Sequence, residues 1–397
     1  MSLKYVDEVN FKGKKVIARF DFNVPLAKDG SGKITDTTRI DMAMPTIKYI
    51  LEHGASKLIM MSHLGRPKDG VKDAKYSLEP VAKYLATKLG QEVVLTESCT
   101  DKGIKNLIGL NATKLVLLEN VRFHIEETKN DHEFAKTLAG YADFYVNDAF
   151  GTAHREHAST YEINAFFKNN NAAGFLMRQE IEALNKVVES PKHPFIAIVG
   201  GAKVADKIKI IEKLLVNVDK MIIGGAMAYP FLKAQGHNIG KSLCDAEDVD
   251  LARKILGSAS AKKISLPIDH IVSDSTEGKG ETINSKDIPS EKMGLDVGPK
   301  TMEYFRDTLK DAQTVLWNGP MGFFENKEFA KGTMEIAKIL SNLKGAFTLV
   351  GGGDSVSAVQ KAGLSDKMSH VSTGGGASLE YIEQGTLPGI KALKFGV

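Results

Sequence analysis

Short runs of β-branched and other apolar residues recur along the chain, separated by stretches whose apolar residues fall at helical spacing. That alternation predicts an α/β architecture of βαβ units around parallel sheets. In the first half the runs predict strands at Lys15–Phe20, Lys57–Met61, Leu115–Leu118 and Asp143–Asn147. In the second half they predict strands at Phe195–Val199, Lys220–Ile223, Ser265–Pro267, Thr314–Trp317 and Phe347–Val350, with a short piece near His370. Between the halves, Leu176, Ile181, Leu184, Val187 and Val188 fall at helical spacing within Gly174–Ser190 until Pro191 stops them, which predicts a helix joining two lobes.

Ligands of open α/β sheets bind beyond the carboxyl ends of the strands, so the residues that follow each run carry the chemistry. In the first half these are Asp21 and Asn23, then His63 and Arg66, then Arg122, then His154 and Arg155, with Arg39 close after the first strand. A guanidinium is a rigid fork of donors that matches carboxylate and phosphate oxygens, so arginines converging on one rim suit a small phosphorylated carboxylic acid. Any one of these arginines alone reads more readily as a surface ion-pair partner. It is the recurrence at strand ends that favours a site. His154 and His157 lack the cysteine or carboxylate company of a metal site.

In the second half glycine takes the same positions: Gly200-Gly201-Ala202-Lys203, Gly224-Gly225-Ala226, Asn318-Gly319-Pro320, Gly351-Gly352-Gly353-Asp354 and Gly374-Gly375-Gly376. Glycine lets the backbone approach a ligand, and helices that start there present free N–H groups to phosphate, which predicts a nucleotide site. Lys203 and Lys207, four apart, are expected on one face of a helix looking toward the phosphates. Asp354 has two readings, a helix cap or a holder of nucleotide-bound Mg²⁺. No G-x-G-x-x-G is present, and Gly236–Ser242 is one residue too short for a P-loop, so it is read as a loop. Asp29-Gly30-Ser31-Gly32 lacks the end ligands of a calcium loop and is read as a turn.

A length of 397 residues exceeds what one core ordinarily supports, so two domains are expected. The net charge of +3, from 52 Lys+Arg against 49 Asp+Glu, comes without basic blocks, which argues against nucleic-acid or membrane partners. The absence of a long apolar run and of a leader-like start, together with only two distant cysteines, leads to the expectation of a water-soluble cytoplasmic protein. Cys99 and Cys244 are both expected to be buried packing residues.

Taken together, Arg19-Phe20-Asp21-Phe22-Asn23-Val24-Pro25, Ser62-His63-Leu64-Gly65-Arg66-Pro67, Gly200-Gly201-Ala202-Lys203-Val204 with Asp206-Lys207, Trp317-Asn318-Gly319-Pro320-Met321-Gly322 and Gly351-Gly352-Gly353-Asp354 resemble the phosphoglycerate kinase family over nearly the whole chain. The resemblance implies two Rossmann-like lobes, parallel sheets flanked by helices, joined by an interdomain helix and hinge. The lobes are expected at 1–173 and 191–384 with the helix at 174–190, and the tail 385–397 is expected to pack back on the first. It implies that Asp21, Asn23, Arg39, His63, Arg66, Arg122 and Arg155 hold 3-phosphoglycerate or 1,3-bisphosphoglycerate. Gly201, Lys203, Lys207, Gly225, Asn318, Glu325, Gly352, Gly353, Asp354 and Ser355 are implied to serve ADP or ATP, with Mg²⁺ on Asp354. Arg39, Lys203 and the helix start at Gly375 are expected to stabilise the transferring group, in a monomer that closes about its linking helix, with Glu180, and the Ser372-Thr373 segment. Ser355 stands where the family commonly has Thr, which keeps the hydroxyl. An NAD-dependent dehydrogenase is the weaker reading because the dinucleotide fingerprint is missing. A non-enzymatic binder of phosphorylated metabolites would not need Lys203, Lys207 and Asp354.

Overall fold

The computed structural model describes residues 2–68 and 70–397. A six-stranded parallel sheet is built from β1 (Lys15–Phe20), β2 (Lys57–Met61), β3 (Val93–Leu95), β4 (Leu115–Leu117), β5 (Phe144–Asp148) and β6 (Asn171–Ala173), in the order β3-β4-β2-β1-β5-β6. A second parallel sheet contains β7 (Phe195–Val199), β8 (Lys220–Ile223), β9 (Ile264–Ser265), β13 (Thr314–Asn318), β14 (Phe347–Gly351) and β15 (His370–Val371), in the order β15-β14-β13-β7-β8-β9. A small antiparallel sheet, β11-β10-β12, joins β10 (His270–Ser273), β11 (Glu281–Ile283) and β12 (Met293–Val297).

The central strands β2, β5, β7 and β13 are buried along their whole length. That is what a parallel sheet covered on both faces demands, and it is why these segments read as continuous, mainly apolar runs rather than alternating ones, with Asn147, Asp148 and Asn318 only at the ends of β5 and β13. The core of the first sheet gathers Phe11, Phe20, Phe22 and Leu58 with Ile40 and Ile47 of the helix Thr38–Glu52, and that of the second gathers Ile198, Phe305, Val315 and Trp317.

The chain divides into two compact units, residues up to Glu182 with Thr386–Val397, and Ala183–Gly385. The boundary falls inside the helix Phe175–Val188. In the first unit the C-terminal helix Pro388–Phe395 is tied to the body by the Gly389 amide, which donates to the Ala153 carbonyl at 2.8 Å. Among the described residues no helix is long and apolar enough to cross a membrane.

Strands β3 and β6 and the antiparallel sheet were not expected from the apolar pattern. β3 has three half-buried residues, and β10 to β12 mix Gly, Ser and Asp into short pieces with a bulge at Ile271/Val272. The expected piece at Ser265–Pro267 is instead the two-residue β9, Ile264–Ser265.

Candidate active-site surfaces

In the first unit, β1, β2, β4 and β5 lie side by side, so the segments after them share one sheet edge. Side chains lock these segments to one another. The Phe22 amide donates to Ser62 Oγ (2.8 Å), the Gly65 amide to Asn23 Oδ1 (2.8 Å), and Asn120 Nδ2 to the carbonyls of Leu64 (2.8 Å) and Tyr76 (3.0 Å). Gly65 has φ +64° and packs so closely on the Tyr76 ring that a Cβ would overlap it, so only glycine fits. Arg122 Nη1 donates to the Gly65 carbonyl at 2.9 Å, which sets the guanidinium over the same loop.

Arg66, Arg122 and Arg155 line one cavity of about 350 Å³, with His124 and Lys129 on its wall. The crowding of cations is felt electrostatically. Burial, then the Arg19 and Arg155 guanidiniums, draw Arg122 down to about 10, and burial, then Arg122, Arg19 and Arg155, push His157 down to about 3. His63 is only 4% exposed and is held well below its ordinary range by burial, with Arg19, Arg122 and Arg39 adding to the effect. A multiply charged anion is the ligand that relieves this field. Arg39, in the first turn of the helix Thr38–Glu52, stands apart from that cavity in an ion pair with Asp21. Asn23 lines a neighbouring cavity with Leu64, Gly65 and Tyr76.

In the second unit the glycine turns follow β7, β8, β13, β14 and β15, five strands of one sheet. The Gly201 amide donates to the Pro320 carbonyl (3.2 Å), the Gly225 amide to Met321 O (3.0 Å), and Trp317 Nε1 to the Gly319 carbonyl (2.8 Å). These bonds hold open a cavity of about 460 Å³ lined by Gly201, Gly225, Pro320, Glu325 and Asp354, with Tyr229, Leu243 and Phe323 forming an apolar wall. Polar backbone at one end and apolar surface at the other is the lining a phosphorylated aromatic base needs. The helices Gly353–Lys361 and Gly376–Gln384 begin from Gly352 (φ +86°) and Gly375 (φ +55°), leaving their first amides unpaired within the helix.

The two lysines do not share a helix face as expected. Residues 205–207 form a 3₁₀ turn and the helix starts only at Ile208, so neither lysine lies on a face of that helix. Lys203 is on the surface, paired with Asp245 at 2.9 Å. Lys207 turns inward, and its ammonium donates to the Gly200 carbonyl (2.7 Å) and to Asn318 Oδ1 (2.6 Å) and O (3.3 Å). Ser355 is fully buried and its Oγ accepts the Gly319 amide at 2.6 Å, fixing the turn after β13. Cys244 is half-buried rather than buried, whereas Cys99 is enclosed and donates to the Glu119 carbonyl.

Asp354 is exposed on the cavity wall, in the first turn of its helix. Among the described residues no group of three or more His, Cys, Asp or Glu is placed to hold a metal ion. One carboxylate fits Mg²⁺, which keeps waters and substrate phosphates as its remaining ligands rather than occupying an all-protein cage. Three side chains of the first unit escaped the sequence reading: Arg19, Glu127 and Ser159, which form a buried cluster against His63. Arg19 lies inside a quoted motif, but nothing in a strand sequence marks a buried arginine.

Residues 6–385 match the family model described as phosphoglycerate kinase. The chain is 50% identical over 400 residues to the phosphoglycerate kinase of Anaeromyxobacter sp. (strain Fw109-5), covering 99% of this chain and 100% of that one. It is 50% identical over 393 residues to the chloroplastic phosphoglycerate kinase of Volvox carteri, covering 97% and 84%. The fold is similar to the solved structure of phosphoglycerate kinase from Coxiella burnetii, with a TM-score of 0.88, 39% identity and 99% of each chain covered.

Proposed function

The chain belongs to the phosphoglycerate kinase family, and on that premise we propose that it transfers the acyl phosphoryl group of 1,3-bisphosphoglycerate to ADP and, in reverse, phosphorylates the carboxylate of 3-phosphoglycerate with ATP. It is a phosphotransferase of glycolysis and gluconeogenesis. The observation that carries the reading is the division of chemistry between the units: guanidiniums crowd the cavity of one, and glycine-rich backbone with an apolar wall lines the cavity of the other.

In the reverse direction the acceptor is a carboxylate, ionised at neutral pH because its pKa lies near about 4. No general base is needed, and the task left to the protein is to position the groups and neutralise charge. Arg66, Arg122 and Arg155 grip the non-reacting phosphate, and Asn23 and His63 orient the glycerate. Arg39 leaves Asp21 to meet the transferring group, and Lys203 leaves Asp245 for the same purpose. The helix start at Gly375 offers amides to the oxygens on which charge spreads. Lys207 exchanges its three carbonyl partners for phosphate oxygens, while Gly201, Gly225, Gly352 and Gly353 let the nucleotide lie against backbone. Asn318, Glu325 and Ser355 shape the pocket around it. Mg²⁺, held by Asp354, would neutralise charge on the nucleotide phosphates.

An acyl phosphate hydrolyses readily, so transfer requires a space from which water is excluded. The hinge for this is assigned to the helix Phe175–Val188 and the Ser372-Thr373 segment. The protein acts as a cytoplasmic monomer on small molecules, and its unpaired thiols suit a reducing compartment. A coupled assay with ATP, Mg²⁺ and 3-phosphoglycerate tests the proposal, and no ADP formation would defeat it.

A further inference from the structure

Arg19, near the end of β1, is fully buried and so cannot touch a ligand. A guanidinium in such a place is tolerated only when its donors are satisfied and its charge is balanced. Its Nη1 donates to the Phe20 carbonyl, its Nε to Ser159 Oγ at 2.9 Å, and its Nη2 lies 3.1 Å from His63 Nδ1. Ser159 in turn donates from Oγ to Glu127 Oε1 (2.6 Å) and from its amide to Oε2 (2.9 Å), and Glu127 is itself fully buried. The balancing carboxylate therefore stands one hydroxyl away and fixes the direction in which Arg19 points.

Arginine has five N–H donors, no acceptor, and no neutral form in proteins. The ring nitrogen facing it must therefore be a bare acceptor, and a neutral imidazole whose Nδ1 is bare carries its proton on Nε2. We propose that Arg19, held by Ser159 and Glu127, is a positioning residue that locks His63 as the Nε2–H tautomer, so that a neutral donor faces the phosphoglycerate anion. The consequence for binding rests on the proposed function, while the tautomer itself does not. An Nε2–H can give a hydrogen bond to a carboxylate oxygen, whereas an Nδ1–H tautomer would turn a lone pair toward the same oxygen and repel it.

The test uses the full-length protein labelled with ¹⁵N. Long-range ¹H–¹⁵N correlations of the histidine rings at pH 7, with His63 assigned by its loss in His63→Gln, are expected to show a protonated Nε2 and a bare Nδ1. Ser159→Ala, milder than any change at Arg19, is expected to mix the tautomers. It should also raise KM for 3-phosphoglycerate by about tenfold while kcat and KM for ATP stay within about twofold, as loss of one oriented hydrogen bond implies. A doubly protonated or Nδ1–H His63 in the wild type overturns the proposal. So does a Ser159→Ala protein whose ring pattern and KM are unchanged. If the wild type shows the expected ring pattern but no turnover, the functional reading fails and the tautomer lock stands.

Discussion

Gly200 and Gly353 both belong to the glycine turns of the second unit, yet the structure assigns them opposite sensitivities to a methyl group. At Gly200 a Cβ would lie inside the Pro320 carbonyl oxygen, 2.9 Å from the Gly319 carbonyl oxygen and 2.8 Å from Met321 Cε. Two of these are backbone atoms of the turn after β13, which would have to retreat by about 1 Å to restore ordinary C···O contact. That turn receives the Gly201 amide, and the Gly200 carbonyl receives Lys207. Overpacking costs about 1–3 kcal/mol, and each hydrogen bond lost adds about 1 kcal/mol, so Gly200→Ala should cost about 2–5 kcal/mol. For a unit of about 200 residues this lowers Tm by roughly 5–15 °C. At Gly353, by contrast, a Cβ meets nothing within 4 Å and φ is not positive. Alanine is the better helix former, so Gly353→Ala should leave Tm unchanged or slightly higher. Its methyl would occupy space that a nucleotide phosphate needs, and ADP affinity should fall by about tenfold or more. Calorimetric melting without and with MgADP reads both effects, since a ligand stabilises the native state in proportion to the logarithm of one plus its concentration over Kd. A Gly200→Ala protein melting within about 2 °C of wild type would refute the steric reasoning. A Gly353→Ala protein binding ADP like wild type would refute the placement of the phosphates.

Burial draws Lys207 down from 10.5 to about 8, so ADP affinity should be level below pH 8 and fall toward tenfold per pH unit above it. Titration calorimetry from pH 7 to 9.5 reads this, and Lys207→Arg should flatten the profile. The same shift means that the unfolded chain binds more protons between about pH 8 and 10.5, so this group's contribution to stability rises with pH across that window. Arg39→Ala should lower kcat by roughly 10³–10⁵, whereas Arg66→Ala should mainly raise KM for 3-phosphoglycerate; equal loss of kcat in both would contradict the division of labour. Asp354→Asn should raise the Mg²⁺ concentration needed for half-maximal turnover by about tenfold or more while leaving Tm unchanged, measured by titrating Mg²⁺ at fixed ATP.

The sequence exposed what depends on buried apolar continuity. β1, β2, β7 and β8 run over the predicted residues because each is a mainly apolar run with a sharp polar or glycine end, interrupted only in β1 by Arg19, and a parallel sheet covered on both faces makes runs of that kind. It also exposed the arginines and glycines, since strand ends are legible and the chemistry follows them directly. It did not expose β3, whose three half-buried residues carry too little pattern, nor β10 to β12, where alternation is broken by Gly294 and by the bulge. Lys203 and Lys207 were misread because four-residue spacing implies a shared face only where a helix has already begun. Arg19 was passed over for the opposite reason: its role depends on Ser159, Glu127 and His63, residues more than forty positions away, and no local pattern encodes that meeting.

A perturbed carboxyl in an α/β enzyme ordinarily suggests acid–base chemistry, and two aspartates here invite that reading. Burial raises Asp148 to about 7, and Asp296 likewise to about 7. Their geometry points elsewhere. Asp148 Oδ1 accepts the Met177 amide at 3.0 Å, in the first turn of the helix Phe175–Val188, and Asp296 Oδ2 accepts the Gly332 amide at 2.8 Å, in the first turn of the helix Lys331–Asn342. Each carboxyl thus supplies a partner to amides that a helix start leaves unpaired, from a strand rather than from the chain just before the helix. Neither lines the cavity of its unit. The two carboxyls tuned toward neutrality are therefore architectural, and the cavities are left with guanidiniums, ammoniums and amides, the set required by a reaction whose acceptor is already ionised.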